Sequence, residues 1–175
     1  MKQPMKNMMQ KERFDNLYTP MEAINPLLKH VPNYSNFKVM WECTDFGKSN
    51  ISKAFRDKGF DVIGTDIING YNFLTCDPPN FDFIVTNPPY SLKDQFLERC
   101  YQLGKPFALL LPLTALEGIK RGKLFREYGI DLVVLDKRID FTGKKSNWFN
   151  VSWFCWGFLN NFSNYNEIVF DQVEK

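Results

Sequence analysis

"FDFIVTNPPYSLKDQFLERCYQLGKPFALLLPL", residues 81–113, holds a complete strand–helix–strand unit, and the rest of the chain is organised around it. Its opening, "FDFIVTN" (81–87), is a continuous apolar run without the alternation of a half-exposed strand, so it predicts a strand buried on both faces. In "SLKDQFLERCYQLG" (91–104), Phe96, Leu97, Cys100 and Leu103 fall on one helical side, and "KPFALLLPL" (105–113) is a second buried strand. Buried strands that alternate with helices are the repeat of a parallel sheet covered on both faces.

The same alternation extends upstream and downstream. "NFKVMWEC" (36–43) predicts a strand, "SNISKAFRDKG" (49–59) a helix with Ile51, Ala54 and Phe55 at helical spacing and Gly59 as C-cap, and "FDVIGTDI" (60–67) the next strand. Later, "GKLFREYG" (122–129) predicts a helix and "IDLVVLD" (130–136) a strand. Two features break the rhythm. Residues 68–80 are too few for a helix and a full strand, so one unit is shortened after the second strand. "NVSWFCWGFL" (150–159) follows 130–136 through a loop with no convincing helix, which predicts a hairpin with one antiparallel strand at the sheet edge. The expected fold is therefore α/β and Rossmann-like, a mostly parallel twisted sheet with an antiparallel C-terminal hairpin.

At 175 residues, with no internal repeat and no linker long enough to divide it, the chain is expected to form a single domain over residues 1–175, without a separate target-recognition domain. No apolar run approaches the roughly 18 residues that cross a bilayer. The polar start "MKQPMKNMMQKERFDN" lacks the apolar core of a signal peptide, so a cytoplasmic location is expected. Four widely spaced cysteines, Cys43, Cys76, Cys100 and Cys155, and one histidine, His30, argue against a zinc site or a disulfide framework. The aromatic share of 16% exceeds what such a core obviously needs, which suggests a stacking surface. A net charge of +2 is too small to indicate nucleic acid by itself. The cations lean toward residues 117–145, where Lys120, Arg121, Lys123, Arg126, Lys137, Arg138, Lys144 and Lys145 lie. They fit either a solvated face or a phosphate track.

In an open parallel sheet the carboxyl ends of the strands border a crevice where ligands bind. After the first strand come Glu42, Thr44, Asp45 and Gly47, after the second Asp66, then Asn72 and Phe73, and after the strand at 81–87 come Asn87, Pro88, Pro89 and Tyr90. An acid about 20 residues beyond a glycine turn suits the hydroxyls of a ribose, which Asp66 would accept unless it merely caps a turn. "ECTDFGKS" (42–49) has one glycine where dinucleotide folds have three, which disfavours a pyrophosphate and leaves room for a cofactor without phosphate. Two successive prolines donate no N–H and fix φ, so the strand must stop and its carbonyls point into the crevice. The Asn87 amide oxygen and the Pro88 carbonyl would together accept both hydrogens of a planar amine and leave its lone pair free to attack. Tyr90 would offer a ring face to the heterocycle carrying that amine.

These residues resemble the amino-methyltransferase branch of the class I S-adenosylmethionine-dependent methyltransferases, in which Asp, Asn or Ser followed by Pro-Pro and an aromatic marks methylation of an exocyclic or amide nitrogen. "TNPPY" (86–90) ends a strand where that motif belongs. Other motifs stand in the expected order: "LYTP" (17–20) resembles the segment over the cofactor's methionine end, "WECTDFGKS" (41–49) the first cofactor motif, "GTDI" (64–67) the ribose acid, and "YNFL" (71–74) the segment that holds the cofactor adenine. "LLLPL" (109–113) and "KRIDF" (137–141) sit where later strands are usual. Together they are similar to small adenine-N6 methyltransferases of the phage or mobile-element kind.

The resemblance implies S-adenosyl-L-methionine as cofactor, held by Tyr18, Thr19, Pro20, Glu42, Thr44, Gly47, Asp66, Ile67, Asn72, Phe73 and Asn87, and catalysis by Asn87, Pro88, Pro89 and Tyr90. It implies nucleic acid as partner, DNA favoured with RNA still open; in duplex DNA the adenine would be flipped out at a cost of a few kcal/mol. Specificity would come from the basic loop 137–149 and the N-terminal segment, and one of Trp148, Phe149 or Trp153 would close the far face of the base. The chain departs from the family in lacking the first glycine of its turn and in having Asn72 where an Asp is usual. Two alternatives stay open: the same motif serves glutamine-N5 methylation of protein, and an altered glycine turn fits a non-catalytic module that binds S-adenosylmethionine or nucleic acid.

Overall fold

The computed structural model describes residues 18–31, 37–142, 150–159 and 166–173. Helix α1 (Met21–Leu28) precedes strand β1 (Val39–Glu42), helix α2 (Asn50–Asp57) and strand β2 (Asp61–Gly64). Strand β3 (Phe83–Thr86), helix α3 (Lys93–Leu103) and strand β4 (Phe107–Pro112) form the unit anticipated at residues 81–113. Helix α4 (Ile119–Tyr128), then strands β5 (Asp131–Leu135), β6 (Val151–Trp156) and β7 (Ile168–Asp171), complete the order.

The seven strands form one sheet in the order β2-β1-β3-β4-β6-β5-β7. Pairing is parallel except along β6, which runs antiparallel to both β4 and β5. This is the mostly parallel, Rossmann-like architecture expected, with β5 and β6 as the antiparallel C-terminal pair. The shortened unit is present as well. Between β2 and β3 the chain makes a short 3-10 turn at Ile67–Asn69 and no further strand, so β3 docks directly beside β1.

The antiparallel strand is not at the edge. β6 is inserted between β4 and β5, matched along its whole length from Phe107↔Trp156 to Pro112↔Val151. The burial of "VSWFCW" explains this: five of its six residues are buried, and a strand apolar on both faces has to be sandwiched laterally too. The edge belongs to β7, which alternates exposed Ile168 and Phe170 with half-buried Val169 and Asp171.

Side-chain alternation along the strands divides the core in two. Met40, Phe83, Val85, Ala108, Leu110, Val133 and Trp153 face Ala23, Ile24 and Leu27 of α1 and Ile51, Ala54 and Phe55 of α2. Trp41, Ile84, Phe107, Leu109, Leu111, Leu132 and Phe154 face Phe96, Leu97, Cys100 and Tyr101 of α3. Much of the aromatic excess is spent here, in contacts such as Trp41 with Phe73, Phe60 with Phe83 and Tyr101 with Phe107. Trp153 belongs to this interior. It is 0% exposed and donates Nε1–H to the Ala23 carbonyl at 2.7 Å, so it does not close a substrate pocket. Trp148 and Phe149 lie outside the described residues.

His30 is also placed by the fold: its Nε2 lies 2.7 Å from Asp171 Oδ2, and Lys29 reaches Oδ1 of the same carboxylate at 2.8 Å. The end of α1 is thereby tied to β7.

Candidate functional site

β1 crosses to β2 in one direction and β3 to β4 in the other, so their carboxyl ends part at the topological switch point, where an open α/β sheet leaves a crevice. A cavity of about 320 Å³ occupies this place. That is the size of a small-molecule site.

The segment after β1 is built around two buried carboxylates. Asp45, 2% exposed, accepts the N–H groups of Gly47, Lys48 and Ser49 on Oδ1 at 2.6, 2.9 and 3.0 Å, and the Ser52 hydroxyl on Oδ2 at 2.5 Å. Gly47 turns the chain with φ +101°, a conformation L side chains rarely adopt, and Ser49 then caps α2 by accepting from Ser52 N–H. Gly64, at the end of β2, permits this packing because a Cβ there would lie 2.8 Å from Asp45 Oδ2. Burial lifts the Asp45 carboxyl, but its four hydrogen bonds outweigh burial and hold it below its ordinary range. The turn's N–H groups therefore face a carboxylate of the chain itself. They are not left open to cradle a phosphate, which agrees with the poverty of glycine in "ECTDFGKS".

Glu42 is 1% exposed and gathers the two strand ends. Its Oε1 accepts from the Thr86 hydroxyl at 2.5 Å, the Thr44 N–H at 3.1 Å and the Thr44 hydroxyl at 3.0 Å, and its Oε2 from the Ser49 hydroxyl at 3.0 Å. Thr44 Oγ1 also lies 2.8 Å from Thr86 Oγ1 and 3.5 Å from the Asn87 carbonyl oxygen. Burial raises the Glu42 pKa from 4.5 to about 7, against the opposing pull of these donors.

That shift fixes the direction of a pH effect. Between the unfolded value near 4.5 and the folded value of about 7, the native protein holds a proton that the unfolded chain has released. Stability that is full below the lower value is lost as pH rises through the upper one, by on the order of 3 kcal/mol. Urea unfolding should show this decline between pH 5 and pH 8 in the wild type and not in Glu42→Gln, whose neutral amide imitates the protonated acid. Equal pH dependence in the two proteins would exclude a perturbed Glu42.

Asp66 follows β2, lines the cavity and uses Oδ1 to accept Ile68 N–H at 2.7 Å. One of its oxygens thus caps the turn, the second role its sequence position allowed. Asn72 makes a comparable turn, its Oδ1 accepting Leu74 N–H at 3.1 Å, while Phe73 is buried and stacked on Phe96 with centroids 4.7 Å apart. Around the mouth, Ile67, Ile68 and Tyr71 are more than half exposed, and Tyr18 and Phe46, nearly half exposed, approach each other to 5.9 Å between centroids.

From the sequence-predicted set, the cavity brings together Tyr18, Thr19, Glu42, Thr44, Asp66, Ile67, Asn72, Phe73, Asn87 and Pro89. Pro20, Gly47, Pro88 and Tyr90 are not part of its lining. Pro88 is buried, and Tyr90 packs against both halves of the core. The Asn87 amide donates Nδ2–H to Thr19 Oγ1 at 3.0 Å, and its Oδ1 is buried with no hydrogen-bond partner among the described residues.

Sequence reasoning gave no site role to Ile51, Ile68, Leu92 and Phe96, which also line the cavity, and took Ser49, Tyr71 and Thr86 only as parts of longer motifs. A signal existed for Ser49, a hydroxyl preceding a helix; Leu92 ends the 3-10 turn before α3, and Phe96 looked like an ordinary core position of that helix.

Part of the basic lean is absorbed within the protein. Arg121 pairs with Asp94 and donates to the Ala115 and Glu117 carbonyls, Lys137 lies 3.3 Å from Glu22, and Arg138 donates to Asn150 Oδ1 at 3.0 Å. Lys120, Lys123 and Arg126 are exposed on α4, while Lys144 and Lys145 lie outside the described residues. Among the described residues there is no group of three or more His, Cys, Asp or Glu side chains able to hold a metal ion, and no helix long and apolar enough to cross a membrane. All four cysteines are free thiols.

No protein-family model and no curated protein matches the sequence. Solved structures do resemble the fold. A predicted O-methyltransferase from Agrobacterium tumefaciens aligns over 84% of this chain and 84% of its own, at 9% identity and a TM-score of 0.45. The 23S rRNA methyltransferase ErmE aligns over 81% of this chain and 70% of its own, at 12% identity and a TM-score of 0.45. Likeness at this level says nothing about chemistry, which has to come from the cavity itself.

Proposed function

We propose that the protein is an S-adenosylmethionine-dependent methyltransferase, resembling the NPPY type found in small phage-like enzymes, that acts in the cytoplasm on the exocyclic N6 of adenine in nucleic acid, DNA in preference to RNA. One observation carries it: a buried amide oxygen, Asn87 Oδ1, has no donor among the described residues and belongs to a side chain lining a nucleoside-sized cavity at the switch point of the sheet. A buried acceptor left unpaired costs about 1–3 kcal/mol. An N–H donor on the substrate relieves that penalty, so the site is built to receive an amine.

The other walls fit S-adenosylmethionine. Asp66 keeps Oδ2 for a ribose hydroxyl while Oδ1 holds the turn. Ile67, Phe73 and Asn72 supply an apolar wall and a polar edge suited to the adenine of the cofactor. Glu42, when ionised, would offset a methionine ammonium, Thr44 would accept from it, and Asp45 occupies the turn's N–H groups that a phosphate would need. When bound, the cofactor supplies an electrophilic methyl group. Asn87 accepts from the target NH₂ and turns the amine's lone pair toward that group. The proton shed by the methylated nitrogen passes to water. Tyr90, which packs against both halves of the core and is outside the cavity lining, takes no part in this step.

Among the described residues, the exposed cations Lys120 and Lys123 of α4 would grip the duplex. Incubation with methyl-labelled S-adenosylmethionine and separate DNA, RNA and protein pools tests the proposal. Label recovered as N6-methyl-2′-deoxyadenosine from DNA is the expected result. Label in glutamine would shift the substrate class to protein, and tight cofactor binding without label in any pool would leave only a binding module.

A further inference from the structure

The Asn87 amide can be used in only one of its two orientations. Its oxygen and NH₂ ends have almost the same shape, so packing cannot choose between them, and hydrogen bonding must. With NH₂ turned to the incoming amine, donor would face donor and the reactive nitrogen would be repelled.

We propose that Thr19 is the positioning residue that selects the productive orientation. Its hydroxyl accepts Asn87 Nδ2–H at 3.0 Å across 68 residues of chain, which leaves Oδ1 as the unpaired end. Reversed, the amide would take the Thr19 O–H on its oxygen and turn both N–H donors to the incoming amine; as it stands, one N–H is held by Thr19 and the acceptor faces the cavity. Thr19 is itself held rigidly: it is 6% exposed, and its carbonyl accepts Asn50 Nδ2–H at 2.9 Å from the first residue of α2. The segment before α1 thus acts on the acceptor residue directly, besides walling the cavity.

This inference rests on the methyltransferase reading, and its test separates the two. Thr19→Val keeps the shape and removes the hydroxyl; Thr19→Ser keeps the hydroxyl. With labelled S-adenosylmethionine and unmethylated duplex DNA, Thr19→Val should lower kcat about 10- to 100-fold, while the Kd of S-adenosylhomocysteine changes by less than about threefold. Thr19→Ser should restore kcat to within about threefold of wild type. A readout without turnover is the side-chain ¹⁵N–¹H₂ resonance pair of Asn87, assigned by its disappearance in Asn87→Asp. It should show a slowly exchanging proton in wild type and Thr19→Ser and lose it in Thr19→Val. The proposal is overturned if that protection is missing in the wild type, if Thr19→Val retains full kcat, or if kcat and cofactor affinity fall together. Protection that depends on Thr19 in a protein that labels no pool supports the positioning and refutes the function.

Discussion

Replacing Asn87 by alanine is expected to lower methyl transfer about 100- to 1000-fold, the loss typical of removing one preorganised polar group from a reacting centre. The fall should appear in kcat. Affinity for S-adenosylmethionine should stay within about threefold, because Asp66, Phe73 and Glu42 form their parts of the wall independently of the amide. The alanine variant removes a buried unpaired oxygen but also the bond to Thr19, so its stability should stay within about 1 kcal/mol of the wild type. Single-turnover assays with calorimetric cofactor titration check both halves. A variant that transfers methyl normally would remove Asn87 from the chemistry, and with it the reason for placing an amine in this cavity.

Replacing Trp153 by alanine is expected to destabilise the protein by about 3–5 kcal/mol, the range for truncating a large aromatic side chain in a core. The indole is 0% exposed in a strand flanked on both sides, and its Nε1–H is bonded to the Ala23 carbonyl of α1. Truncation opens a cavity at the middle of the sheet and loosens the helix that directly follows Thr19 and Pro20. Trp153→Phe, which retains most of the volume and loses the hydrogen bond, should cost about 1–3 kcal/mol. Urea unfolding with unchanged m-values would measure both. An alanine variant within about 1 kcal/mol of wild type would show that the sheet is not packed around this side chain.

The local pattern made most elements legible, because a continuous apolar run such as residues 81–87 and the helical spacing of Ile51, Ala54 and Phe55 are properties of short segments. It missed α1 and β7. In α1 the buried set Ala23, Ile24, Pro26 and Leu27 includes a proline, which weakens any helical signal, and β7 is a four-residue edge strand with two exposed apolar side chains. The lateral position of β6 was misjudged for a different reason. Antiparallel direction can be inferred from a short connection, but which strands flank β6 depends on pairing with β4, well upstream in the chain.

The site divides in the same way. Residue type and order along the chain determined that Glu42, Asp66, Asn72 and Asn87 stand at or just beyond strand ends, since a strand's end is marked by its own neighbours. Only the tertiary structure decided what each group touches: Glu42 meets Thr86 across 44 residues, Asn87 meets Thr19 across 68, and Tyr90 turns to the core while Asn87 lines the cavity. The same holds for burial. Glu42 is shifted to about 7 because the folded chain excludes water from it, a condition absent from the sequence around it and created when β1 and β3 are brought side by side.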